Sequence, residues 1–191
     1  LLGLVGVVIF QGILGMWTVT WQLKPLAVSS HLLGGMTTLA MLLWLRLLQS
    51  PAPLGLGLRA MRGFCAAALA VLVGQIFLGG WTSSNYAALA CPDFPTCHAQ
   101  WWPQDLDFAN AFVLWHGLGI NFEYGILESP ARTAIHLTHR LGAIVTTGVL
   151  LGLAGLIWRR TQARHLAVLL GLALGLQITL GIASVKLGLP L

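Results

Sequence analysis

The chain has 191 residues, 57% of them hydrophobic and only 8% charged, whereas a soluble domain carries about 25% charged residues. Its mean hydropathy of +0.84 excludes a water-soluble enzyme and implies an integral membrane protein. The net charge of +5 comes from ten Lys and Arg scattered near the ends of apolar stretches, which excludes nucleic acid as the partner and fits membrane topology.

A helix needs about 20 apolar residues to cross a bilayer. Five stretches meet that length: Leu2 to about Val19, Leu26 to Leu48, Phe64 to about Ser84, Thr133 to Trp158, and His165 to about Lys186. The fold class is therefore all-α, a polytopic bundle of five membrane-spanning helices. The first two are joined by the turn Trp21-Gln22-Leu23-Lys24-Pro25 and form an antiparallel hairpin. No cleavable signal is visible, and Leu1 is not a methionine, so the chain is expected to lack its natural start.

Arginine placement sets the orientation. Arg46, Arg59 and Arg62 flank the second connection, and Arg159, Arg160 and Arg164 the fourth. The opposite side has Lys24, Arg132 and Lys186. The positive-inside rule puts the arginine-rich connections in the cytoplasm, so the amino end is cytoplasmic and the loop 85–132 external. Cys91 and Cys97 lie in that loop, in a polar segment; a close pair facing an oxidising compartment is expected to form a disulfide. Cys65 is alone in an apolar run. Trp101-Trp102-Pro103 has the character of an interfacial belt. The stretch from Asp105 to Gly125, with Phe108, Phe112, Val113 and Trp115 as its apolar members, reads as an amphipathic helix lying on the membrane or capping the bundle. Asp105 and Asp107 suit its amino end.

One motif recurs. Gln11-x-x-Leu14-Gly15-x-Trp17-Thr18 matches Gln75-x-x-Leu78-Gly79-x-Trp81-Thr82, with a weaker copy at Gln177-x-x-Leu180-Gly181. Each copy lies on an odd-numbered span. The even spans share His31-Leu32-Leu33-Gly34-Gly35 and His139-Arg140-Leu141-Gly142-Ala143. Glycines at these places allow close helix approach or room for a flat ligand. Twenty residues separate Gln11 from His31, and the same count from Gln177 runs past Leu191, so the chain is expected to end before its next histidine helix.

Ionisable groups at membrane depth indicate function. His31 and His139 lie five to six residues into their spans, about 8–10 Å deep at 1.5 Å per residue. Two histidines on repeat-related helices point to axial haem ligation through imidazole nitrogen; a helix–helix hydrogen bond or a polar cavity wall is the structural alternative. His136, one turn before His139, either contacts a porphyrin edge or reaches the interface. Arg140 either neutralises a haem propionate or snorkels to water. His98, His116 and His165 read as solvated or structural, and Trp17, Trp44 and Trp81 as packing or interfacial anchors. Glu123 and Glu128 are candidate acids near the external mouth. Cys-x-x-Cys, phosphate-loop and His-Glu-x-x-His patterns are absent.

Taken together, Gln11-Gly12-Ile13-Leu14-Gly15-x-Trp17, Ser30-His31-Leu32, Gln75 to Gly80, the Cys91/Cys97 loop, Asn121-Phe122-Glu123-Tyr124-Gly125 through Ser129-Pro130-Ala131-Arg132, and Ile135-His136-x-x-His139-Arg140 resemble the haem A synthase family over essentially the whole chain. That resemblance implies eight transmembrane helices in two pseudo-repeated four-helix halves, of which the five here resemble helices three to seven. Residues 1–48 would complete the amino-terminal half, 49–63 would be a cytoplasmic linker, and 64–191 would form a carboxyl-terminal haem b unit without its last helix.

The resemblance also implies site roles. His31 would be a ligand at the substrate-haem site, where haem O is oxidised. His139 would be the first iron ligand of haem b, with His136 and Arg140 as further cofactor-binding residues, and Cys91 and Cys97 would match the disulfide-bearing loop. The implied reaction converts the C8 methyl of haem O to a formyl, giving haem A for cytochrome oxidase. A chain holding one histidine of each ligand pair is expected to be inactive alone. The implied setting is the bacterial inner (plasma) membrane, with the lipid bilayer and haem O as partners and room for a haem O-producing farnesyltransferase, an electron donor and a second copy of the chain. A di-histidine cytochrome exchanging electrons with quinone, and a non-enzymatic membrane assembly factor, are the competing readings.

Overall fold

The computed structural model describes residues 2–49 and 61–188. Most of the 49–63 connection, including Arg59, lies outside the described residues, as do Leu1 and residues 189–191. Among the described residues six helices occur in the order α1 (Leu2–Thr20), α2 (Pro25–Leu48), α3 (Arg62–Ser84), α4 (Phe108–Ala111), α5 (Ser129–Arg160) and α6 (Arg164–Lys186). Five are long and apolar enough to cross a membrane. The protein is an all-α integral membrane protein, and no strand is present among the described residues.

Each long helix packs on its neighbour in the chain: α1 on α2, α2 on α3, α3 on α5 and α5 on α6. The helices therefore form a row, with α1 and α6 at its edges. Their outer faces expose Val5, Ile9, Ile13 and Met16 on α1, and Leu169, Leu172, Leu176 and Leu180 on α6. In water such surface would drive aggregation, but lipid is the solvent an apolar helix needs, because its backbone groups are already paired within the helix.

The compact core sits at one end of the bundle, where the last turns of α3 meet the start of α5. Trp81, Ala87, Ala111, Ala131, Ala134 and Ile135 are buried together there. Trp81 completes the cluster by donating its indole N–H to the Ala111 carbonyl at 2.9 Å, which a buried indole requires.

Two expectations are corrected. The first concerns α5, which starts at Ser129 rather than Thr133, with Pro130 in its first turn. Proline is favoured there because the missing N–H would be unpaired anyway. The helix runs 32 residues, about 48 Å at 1.5 Å per residue, so its first turns rise out of the roughly 30 Å hydrocarbon layer. His139 consequently lies ten residues into its helix, further than the sequence suggests.

The second concerns the stretch from Asp105 to Gly125, which is not a continuous amphipathic helix. It contains one helical turn, α4, with Asp107 as its cap: the carboxylate accepts the Asn110 backbone N–H at 3.0 Å. Beyond it the backbone is irregular, with positive φ at Gly117, Gly119, Tyr124 and Gly125, a conformation that stops a right-handed helix and suits glycine.

Candidate functional site

The two helix pairs α1–α2 and α3–α5 are built on the same contact. Gln11 on α1 donates its side-chain amide to the His31 carbonyl on α2 at 2.9 Å. Gln75 on α3 donates to the His139 carbonyl on α5 at 3.1 Å. In each pair a glycine three residues past the histidine makes the approach possible. A Cβ at Gly34 would overlap Gln11 Oε1, and one at Gly142 would overlap Gln75 Oε1. A second glycine faces the imidazole itself: a Cβ at Gly15 would sit 3.2 Å from His31 Cε1, and one at Gly79 3.4 Å from His139 Cε1. The repeated motif is thus a socket, in which glutamine grips the histidine's backbone and glycine makes room for its ring. The third copy has no such partner among the described residues; Gln177 is exposed and nothing lies near Gly181.

His31 and His139 are both half-buried. Neither imidazole Nε2 has a hydrogen-bond partner among the described residues, and neither nitrogen is sealed from its surroundings. At His139, Nδ1 is 3.1 Å from Gln75 Nε2, whereas at His31, Nδ1 is buried with no partner. An imidazole anchored through its backbone with Nε2 free is what iron ligation requires. The residues present therefore fit a haem ligand on each pair. A cleft of about 240 Å³ opens at the α1–α2 turn beside Trp21, Gln22, Lys24 and Leu118; no histidine lines it.

His136 and Arg140 both engage the 91–97 loop. His136 is buried, with Nδ1 3.1 Å from the Cys91 backbone N–H and Nε2 3.1 Å from Arg140 Nε. A neutral imidazole has one acceptor nitrogen, so only one of these contacts is a full hydrogen bond. Arg140 Nη1 donates to the Thr96 carbonyl at 2.8 Å, and Nη2 to the carbonyls of Cys91 at 2.9 Å and Asp93 at 2.8 Å. Four of the five N–H groups of a guanidinium thus point into the 91–97 loop or at His136, and the Phe94 ring covers the group at 5.6 Å. Both side chains hold the loop on α5.

The loop is closed by the expected Cys91–Cys97 disulfide and by Asp93, which the sequence reading did not single out. Its carboxylate accepts the Thr96 hydroxyl and the backbone N–H groups of His98 at 2.7 Å and Ala99 at 3.0 Å. The Thr96 hydroxyl first, then these N–H groups, hold the Asp93 carboxyl down at about 2.

The rest of the 85–132 loop reaches the first helix pair. Lys24 is buried, donates to the Gly117 carbonyl, and has its ammonium 3.5 Å from the Trp115 ring centre; burial pushes the amine below the usual lysine range. Phe122, also buried, donates its N–H to the Gln22 carbonyl at 3.0 Å. Glu123 and Glu128 are exposed.

A further cation stands seven residues before each histidine, Lys24 before His31 and Arg132 before His139. Arg132 Nε is buried without a partner. The shared spacing is the sequence signal that marks it.

No solved structure matches the chain. The chain is 46% identical over 187 residues to a protein named heme A synthase from Shewanella oneidensis; the match covers 96% of this chain and 56% of that protein. The chain thus spans little more than half the length of that relative. The family model described as cytochrome oxidase assembly protein, COX15-CtaA, matches residues 1–191. The chain belongs to the COX15-CtaA family of cytochrome oxidase assembly proteins.

Proposed function

We propose that the protein carrying this chain is a haem A synthase, which oxidises the C8 methyl of haem O to a formyl group. Family membership and the named relative support the reaction class. The observation that carries the reading at residue level is the socket built twice, which leaves Nε2 of both His31 and His139 without a protein partner.

In this reading His31 belongs to the site that takes haem O as substrate, and His139 is an iron ligand of haem b. Haem b, when bound, supplies one-electron transfer. The chain's own residues position and enclose. Gln11 and Gln75 fix the two histidine helices, and the glycines facing the rings keep the helix surfaces clear. Arg140, His136 and Asp93 hold the disulfide loop against the external half of α5. Arg132, whose Nε is buried without a partner among the described residues, is a cation available to a carboxylate.

The alternation of the spans and the arginines at one end of the bundle support a cytoplasmic amino end and an external 85–132 loop in a bacterial inner membrane. The Cys91–Cys97 disulfide agrees with an oxidising exterior.

The test is conversion of haem O to haem A in membranes containing the protein, read by chromatography and mass of the extracted haems. The expected result is a haem A product that disappears with His31→Ala. Haem A formation undiminished in that variant would contradict the assignment of His31, and no haem A from the intact protein supplied with electrons would contradict the function.

A further inference from the structure

We infer that Gln75 is a positioning residue for His139: its side-chain amide selects which ring nitrogen presents a lone pair to the iron and tunes how strongly that nitrogen donates. The inference rests on the reading of His139 as an iron ligand. It starts from a difference between two otherwise matching sockets. Both glutamines grip the backbone carbonyl of their histidine, but Gln75 also reaches the ring, its Nε2 lying 3.1 Å from Nδ1. Gln11 makes only the backbone contact, and His31 Nδ1 is buried without a partner.

A histidine that ligates through Nε2 carries its proton on Nδ1, and an acceptor for that proton fixes the ring and raises the basicity of the ligating nitrogen. The group within reach of His139 Nδ1 is the Gln75 amide. Its Oε1 is buried beside Gly142 and has no other partner among the described residues. Half a turn about the last side-chain bond brings that oxygen to Nδ1, exchanging the donation to the His139 carbonyl for acceptance from the ring. The amide then accepts the Nδ1 proton while Nε2 faces the metal. Because His31 lacks this second contact, its ring is held less firmly, which suits a site whose haem must enter and leave. The Gln75 site suits a resident haem that only exchanges electrons.

The experiment uses the intact haem-loaded protein in detergent and reads the midpoint potential and low-spin electron paramagnetic resonance of its resident haem. Gln75→Glu offers a stronger acceptor and is expected to shift the potential down. Gln75→Leu and Gln75→Met offer none and are expected to shift it up. Loss of that haem from both apolar variants, with retention in Gln75→Glu, would also support the inference, since only the hydrogen bond separates them. Potentials unchanged in all variants, or moved the same way by Glu and by the apolar residues, would overturn it, because a structural role alone predicts no change of sign. His139→Ala separates this from the underlying reading: if that variant keeps the wild-type low-spin signal, His139 is not the ligand, whatever Gln75 does.

Discussion

Gly142 shows how much one residue can carry. A Cβ there would overlap Gln75 Oε1, and the helix backbone cannot retreat, so the glutamine must leave its place. Gly142→Ala is predicted to destabilise the α3–α5 pair by about 1–3 kcal/mol, the usual cost of overpacking, seen as a lower unfolding temperature in detergent. Gly148, on the same helix with open space around it, should tolerate alanine with little change. Asp93 gives a prediction in pH. Its folded-state pKa of about 2 lies below the usual aspartate value of 3.8, so the stabilisation it provides is fully present above about pH 4 and is lost as pH falls toward 2. Amide exchange at His98 and Ala99, the two N–H groups it accepts, should quicken over that window, and Asp93→Ala should show fast exchange at neutral pH. The histidines and glycines of the sockets were legible in the sequence because they repeat at fixed spacing. The engagement of His136 and Arg140 was not, because their partners lie 44 to 49 residues away in an irregular loop, beyond any local pattern.

At the scale of elements, the 85–132 loop is the part whose form the sequence hid. Phe108, Phe112 and Trp115 have helix-like spacing, but Gly117, Gly119 and Gly125 adopt positive φ and end any helix. The aromatic groups serve as separate anchors, Trp115 over Lys24 and Phe112 against the Trp81 cluster. By contrast, the long spans were read to within a few residues, since length and apolarity alone define them. The start of α5 was the largest miss, because its first turn is polar and stands outside the hydrocarbon. Two element-scale predictions follow from the anchors. Lys24→Met keeps the volume but removes the contact with Gly117 and the cation–π interaction, worth about 2 kcal/mol when desolvated; amide exchange across residues 112–122 should rise while the spans stay protected. Arg140→Lys cannot reproduce the planar fork and should expose the 91–97 loop to exchange, with a loss of about 1–3 kcal/mol from carbonyls left unpaired. Unchanged exchange in either variant would show that the loop is held by something else.

For the whole molecule, the row of helices places the two sockets on successive pairs and ties them together at one end. The α1–α2 turn receives Phe122 and Trp115 from the same loop that Arg140 clamps to α5, so the 85–132 loop spans both histidine helices. That arrangement puts the disulfide on one side of the membrane, and α3 runs from Cys65 near Arg62 to Trp81 near the loop. After mild reduction, a membrane-impermeant thiol reagent is predicted to label Cys91 and Cys97 from the external side of sealed vesicles, with Cys65 unlabelled from that side.

The central claim is that His31 and His139 serve two different haems. Its most direct measurement is the haem content and low-spin signal of the purified intact protein with each histidine changed to alanine in turn. The account predicts that His139→Ala loses haem b, while His31→Ala retains haem b and loses the capacity to bind added haem O. Both variants keeping the full haem complement and the unaltered signal would contradict it.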